Sequence, residues 1–277
     1  MNARRRLTRW LMLAPGLTSW LAAGAQPHAA GAQTYAVVVG ISDYKALTYR
    51  TGDLRYADED ARRVADFLMS RAGGGVKPDQ LRLLTNAQAT GAALRLALRL
   101  FARARPADRI LLYFSGHGLP DSFVPYDVSP AAPRTLLTFA EIKAAFRASR
   151  AGVKLCIADA CLSGNLTTPT RTPHRPPQKK ISPTAATGLL PPGSNVAMLL
   201  ASRSTQVALE DGRLASGAFT YFLLGGLRGK ADLNGDKIVT IKELHTYVVP
   251  NVRKLSLGRQ SPVFYGRFSD NLPLAYF

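Results

Sequence analysis

From Thr34 onward, apolar positions alternate between two periodicities. YAVVVGI (Tyr35–Ile41) is a nearly continuous β-branched run, the pattern of a strand buried on both faces. ADEDARRVADFLMSRAG carries Val64, Phe67 and Leu68 at helical spacing, and Gly73–Gly75 are expected to stop that helix. QLRLLTN predicts a short strand. ATGAALRLALRLFARARP sets Leu94, Leu98, Leu100 and Phe101 against a ladder of arginines, which predicts an amphipathic helix ended by Pro106. DRILLYF is a second buried strand, running into SGHG. TFAEIKAAFRAS predicts a helix and VKLCIAD a third buried strand. Further along, NVAMLLAS predicts a strand, GAFTYFLLGGLRG and IKELHTYVVPNV helices, and PVFYG a short final strand. Strands and helices in this order give an α/β fold with a mostly parallel sheet and helices on both faces. In such sheets ligands gather beyond the carboxyl ends of the strands, where SGHG and DACLSG both fall.

Two stretches depart from the rhythm. The first 25 residues hold four arginines and no acid, then an apolar run, WLMLAPGLTSWLAAG, and a small-x-small site at Ala23-Gly24-Ala25. This reads as a signal peptide over 1–25, with a second candidate cut that extends it to 32, and predicts export to a periplasmic or extracellular location. Pro15 and Gly16 interrupt the apolar run, so it makes a poor transmembrane span; an uncleaved anchor is the alternative. The second stretch is 164–195, whose 32 residues hold seven prolines, no acid, and the basic residues Arg171, Arg175, Lys179 and Lys180. Its composition predicts a mobile, exposed loop within a domain covering 33–277.

The chain of 277 residues carries a formal charge of +18, but its arginines are scattered over several helices and no nucleic-acid motif accompanies them, so no nucleic-acid partner is expected. Its two cysteines, Cys156 and Cys161, are five residues apart. On one strand they would face opposite sides, where a bridge between them is geometrically poor, so no disulfide scaffold is expected. A thiol left free in an exported protein calls for a reason.

That reason lies in the pairing of Cys161 with His117. They are 44 residues apart, each following an apolar strand and preceding a small-residue turn, so neighbouring parallel strands would bring thiol and imidazole together. FSGHG (Phe114–Gly118) and DACLSG (Asp159–Gly164) resemble the paired signatures of the caspase-like cysteine peptidases of clan CD, in their bacterial metacaspase-like branch. YAVVVGISDY, LRYADEDARRVADFL, FVPYD and GAFTYFLLGGLRGKAD match in order, so the resemblance spans about 33–266. It implies a three-layer sandwich, with Cys161 as nucleophile and His117 as its acid/base partner. The backbone N–H groups of Gly118 and Cys161 would form the oxyanion hole, where glycine permits close approach.

The resemblance also bears on specificity. Animal caspases, which take aspartate, have a glutamine two residues before the cysteine; metacaspases, which cut after Arg or Lys, have an aspartate there. Here that residue is Asp159, and Asp60 matches the second acid, with Ala57 and Ser115 as expected lining. Two carboxylates in a narrow pocket favour a guanidinium or ammonium, so protein or peptide substrates with a basic P1 residue are expected. The four basic residues of the 164–195 loop suit the same pocket, where caspases carry the linker cut during maturation. Leu162 departs from the polar residue usual after the metacaspase cysteine, so calcium dependence does not carry over with the family.

DLNGDKIVTIKE (Asp232–Glu243) separately places Asp232, Asn234, Asp236 and Glu243 at EF-hand spacing. Lys237 stands where that loop needs glycine. Bound Ca²⁺ and a helix-capping acidic turn are the two readings, and no cofactor is expected to be required. His245, on the helix after it, reads as a surface residue. A cysteine endopeptidase is the leading function; a catalytically silent caspase-fold binding module is the runner-up, disfavoured because a scaffold has no use for both His117 and Cys161.

Overall fold

The computed structural model describes residues 31–48, 52–129, 135–161, 196–202, 208–266 and 268–277. The expected signal peptide (1–25) and the proline-rich loop (164–195) therefore lie outside the described residues, and of the longer signal alternative only 31–32 fall within them.

Along the chain come β1 (Thr34–Gly40), α1 (Ala57–Met69), β2 (Leu81–Thr85), α2 (Gly91–Leu98), β3 (Arg109–Leu119), β4 (Ser122–Phe123), β5 (Leu137–Thr138), α3 (Phe139–Ala148) and β6 (Val153–Cys161). They are followed by β7 (Val196–Leu200), β8 (Glu210–Asp211), β9 (Ser216–Gly217), α4 (Ala218–Gly225), β10 (Ile238–Thr240), α5 (Ile241–Leu255), β11 (Val263–Gly266) and β12 (Pro273–Tyr276). The main sheet has the order β11-β7-β6-β3-β1-β2. Its strands are parallel except β11, which runs antiparallel to β7 at one edge.

Alternation along the strands sorts the core into two layers. Val37 and Val39 of β1, with Ile110, Leu112 and Phe114 of β3, pack against Leu94 and Leu98 of α2 and Ile142 and Phe146 of α3. Ala36, Val38, Leu111, Tyr113, Leu155 and Ile157 face the other way, onto Val64 and Leu68 of α1, Leu223 of α4 and Leu244 of α5. The sheet is thus covered on both faces, the three-layer α/β arrangement that continuous apolar strands require. Each large apolar side chain taken fully out of water contributes about 1.5–3 kcal/mol, so these two layers carry most of the favourable folding energy.

Several boundaries differ from the sequence expectations. The first helix ends at Met69, before the glycines, because Ser70 is already extended and its hydroxyl donates to the Phe67 carbonyl. The second gives way after Leu98 to a 3-10 turn over Arg99–Arg103, well before Pro106. Most consequential, β3 does not end at Phe114: SGHG is itself strand, paired residue by residue with β6. The two-residue strands were not foreseen; segments that short carry no periodicity to read.

One glycine governs how close α1 lies to the sheet. A Cβ on Gly40 would come within 2.2 Å of the Ala57 carbonyl oxygen and 2.5 Å of Ala61 Cβ. Backbone cannot yield to that as a flexible side chain would. Gly40→Ala is therefore expected to destabilise the fold by about 2–4 kcal/mol, read as a lower midpoint in urea unfolding.

Candidate active site

The strand order reverses between β1 and β3, since β1 leads outward to β2 whereas β3 leads towards β6 and β7. A crevice at the carboxyl ends of the strands is expected at such a point. β1 stops opposite Ser115 and β7 stops opposite Ala158, but β3 and β6 continue as a pair. Their last matched positions are Ser115 with Asp159, Gly116 with Ala160, and His117 with Cys161. The two residues proposed for chemistry are thus Cα partners in adjacent strands.

His117 is fixed by the segment after β1. Its backbone N–H donates to Tyr44 Oη at 2.7 Å, and the two rings lie 4.9 Å apart at a tilt of 36°. Its Nε2 lies 2.5 Å from the Gly52 carbonyl oxygen. A carbonyl only accepts, so this contact places the proton of a neutral imidazole on Nε2 and leaves Nδ1 as the basic nitrogen. Tyr44 is buried, and burial raises its phenol above the ordinary range, keeping it a neutral anchor. Gly116 explains how the phenol gets so close: a Cβ there would lie 2.7 Å from Tyr44 Oη. Gly118, next to the histidine, is buried and pairs with Phe123 of β4.

Two residues back from this pair, one pleat repeat or roughly 6.5 Å, the sheet carries a buried acidic site. Asp60 is 1% exposed and Asp159 6%, so neither is a surface acid. Ser216 Oγ donates to Asp60 Oδ1 at 2.5 Å and the Gly217 N–H to its Oδ2 at 2.7 Å. Thr220 donates to Asp159 Oδ2 twice, from Oγ1 at 2.7 Å and from its N–H at 3.2 Å. Tyr113 Oη lies 2.7 Å from Thr220 Oγ1, and Ser115 also hydrogen-bonds to that phenol. Ser115 and Ala57 are buried within the same region. A Cβ on Gly217 would stand 2.5 Å from Asp159 Oδ2 and 3.2 Å from Asp60 Oδ2, so both carboxylates close on one glycine. The one ion pair to them among the described residues is Arg63 to Asp60 Oδ1, 3.3 Å, from the half-exposed side of α1.

The electrostatics follow from this crowding. Burial pushes the Asp60 carboxyl up to about 7; the Ser216 hydrogen bond opposes that and the Asp159 charge adds to it. Burial likewise lifts Asp159 to about 6 against the two Thr220 bonds. Burial is the main cause at both carboxyls, and carboxyls perturbed in this way mark a candidate functional site.

The resemblance had pointed to Asp60 and Asp159, but not to the groups that hold them. Ser216, Gly217 and Thr220 lie in SGAFT, whose apolar pattern announces only a helix. Glu210 also escaped notice: its carboxylate accepts the Arg55 and Tyr56 N–H groups at the start of α1, 3.0 and 2.9 Å away, and so ties the β8–β9 segment to the helix bearing Asp60. Cys156 sits on the opposite face of β6 from Asp159, fully buried, its thiol pushed up to about 12. It is an inert core residue.

The acidic turn at 232–243 uses its oxygens internally. Asp232 accepts the Gly235 and Lys237 N–H groups, Asn234 that of Asp236, and Asp236 that of Ile238. Glu243 forms a capping box with Thr240 at the start of α5. Lys237 takes the positive φ of 64° where glycine was wanted. No group of three or more His, Cys, Asp or Glu side chains among the described residues is gathered to hold a metal ion. His245 is exposed, its ring edge-on to Phe264.

With the geometry in place, comparison with known proteins defines the class. The caspase-domain family profile matches residues 33–273, and the chain belongs to that family. The crystal structure of protein GSU0716 from Geobacter sulfurreducens superposes with a TM-score of 0.57 over 86% of this chain and 95% of that one. At 18% identity it supports the fold. No curated protein sequence is similar enough to count as a relative.

Two substitutions test this arrangement. A carboxyl whose folded-state pKa lies above its unfolded value of 3.8 destabilises the fold wherever it must ionise. Asp159→Asn keeps an oxygen for Thr220 and removes that charge. It is expected to be more stable than wild type by about 1–3 kcal/mol at pH 8, with the gap closing towards pH 4, as read by urea unfolding at both pH values. Tyr44→Phe leaves the His117 N–H without its acceptor and should cost about 1–3 kcal/mol in the same assay.

Proposed function

We propose that this protein is a cysteine endopeptidase that cleaves peptide bonds after Arg or Lys. The observation that carries the reading is the juxtaposition of the His117–Cys161 strand pair with the buried Asp60–Asp159 carboxylates one pleat away. Membership of the caspase-domain family supports a cysteine peptidase acting on proteins.

In this reading Nδ1 of His117 takes the Cys161 thiol proton, while the Gly52 carbonyl holds the Nε2–H and steadies the imidazolium that results. The thiolate attacks the scissile carbonyl carbon. The N–H groups of Gly118 and Cys161 receive the oxyanion. His117 then protonates the departing amine, and water, deprotonated by the same imidazole, hydrolyses the thioester. The P1 guanidinium or ammonium enters between Asp60 and Asp159, whose positions are held by Ser216, Gly217 and Thr220. Both carboxyls are raised, so they release protons as the cation arrives. Substrate capture is accordingly weakened as pH falls through 7 to 6, where they stay neutral.

The four basic residues of the 164–195 loop are candidate self-cleavage sites under the same rule, and the basic-apolar amino terminus supports export. The acidic turn gives no support to a bound calcium ion, since its carboxylates serve its own amides.

Matched fluorogenic peptides with Arg, Lys or Asp at P1 decide the reading. Cleavage after Arg and Lys at least 100-fold above Asp, lost in Cys161→Ala and His117→Ala, is the expected result. Preference for Asp would remove the basic pocket. No turnover by the folded, reduced protein, with or without added calcium, would favour the silent module. Intact masses of wild type and Cys161→Ala report loop processing in the same preparations, and equal single-chain masses would exclude it.

A further inference from the structure

Arg109 opens β3 at the amino end of the sheet, eight residues and roughly 26 Å of extended chain away from His117. It is 6% exposed. Its Nη2 donates to the Pro273 carbonyl at 2.6 Å, but its Nε has no hydrogen-bond partner among the described residues. The arginines that pair with carboxylates there are Arg62, Arg63, Arg95, Arg103, Arg105 and Arg213; Arg109 is not one of them. All 18 Asp and Glu residues of the sequence fall within the described part, so no acidic side chain elsewhere in the chain can supply the missing partner. A guanidinium held out of water without a counter-charge is costly. Burial pulls Arg109 down to about 10, opposed only by interaction with the Tyr276 phenol, and it remains a cation at neutral pH.

Arg109 lines a pocket of about 340 Å³. Arg71, exposed just past the end of α1, stands on the same wall as a second cation with no carboxylate within ion-pair distance among the described residues. Gly74 and Gly75 adopt φ of +100° and +61°, and a Cβ on either would meet nothing within 4 Å, so this side of the pocket is open. Leu274 and Tyr276 of β12 add an apolar surface and a phenol, and Gly31 and Ala32 before β1 form the remaining wall.

We propose that this pocket binds a small oxyanion, a molecule bearing a carboxylate or phosphate group, gripped by Arg109 from within and Arg71 from the rim. A guanidinium is a planar, permanently charged donor suited to carboxylate and phosphate oxygens, and partial enclosure of the pocket shields that contact from water. The bound anion supplies the counter-charge that no side chain of this protein provides. The site lies at the far end of β3 from the candidate catalytic pair, and it stands whether or not the peptidase reading does.

Thermal unfolding of the full chain in sodium phosphate, in citrate, and in sodium chloride of matched ionic strength tests it. Phosphate or citrate is expected to raise Tm saturably above the chloride control, by roughly 5–10 °C at a hundredfold excess over Kd. Arg71→Ala and Arg109→Met should both lose that rise. Arg109→Met should also melt no lower than anion-free wild type, because an apolar side chain of similar reach replaces an unpaired buried charge. Response to one anion and not the other identifies the group recognised. No rise above chloride in the wild type, or a rise that Arg71→Ala retains in full, overturns the proposal. Since Arg71 is exposed and its truncation leaves the core intact, that variant decides the matter even where Arg109→Met does not fold.

Discussion

The parallel pairing of β3 with β6, carried past the ends of both neighbouring strands, is the constraint on which the candidate site depends. A sheet register moves in single steps, and every side chain changes face with each step. In the register observed, Ser115 meets Asp159 and His117 meets Cys161. A slip of one residue would separate the pair and turn the acid away from α4. The two apolar layers hold that register, because the same slip would expose Leu111 and Tyr113 to the wrong helices.

The acidic site shows what such rigidity makes possible. Two carboxyls are kept in a place where ionisation is unfavourable, and apart from Arg63 the hydrogen bonds that hold them come from one short segment, Ser216 to Thr220. Glu210 ties the adjoining segment to the start of α1. The helix carrying Asp60 and the segment orienting it therefore move as one body.

The amino end of the same sheet poses the converse problem, a buried cation without an acid. At the carboxyl end of β3 two buried carboxyls share the one ion pair that Arg63 makes with Asp60, and at the amino end Arg109 has no carboxylate partner among the described residues.

Much of this was legible in the amino-acid sequence. Runs such as YAVVVGI and DRILLYF determined buried parallel strands, the arginine-backed leucines determined a covering helix, and the SGHG and DACLSG motifs picked out the residues that meet. Those signals are local: periodicity, composition and short motifs survive without a third dimension. Only the tertiary structure decided that SGHG is strand and not turn, that Tyr44 and Gly52 fix the imidazole, and that Ser216, Gly217 and Thr220 hold the two acids. It alone revealed Arg109 as a buried cation without a counter-ion. These are contacts between residues up to 164 positions apart, such as Arg109 with Pro273, and no local pattern encodes which distant groups will share a desolvated space.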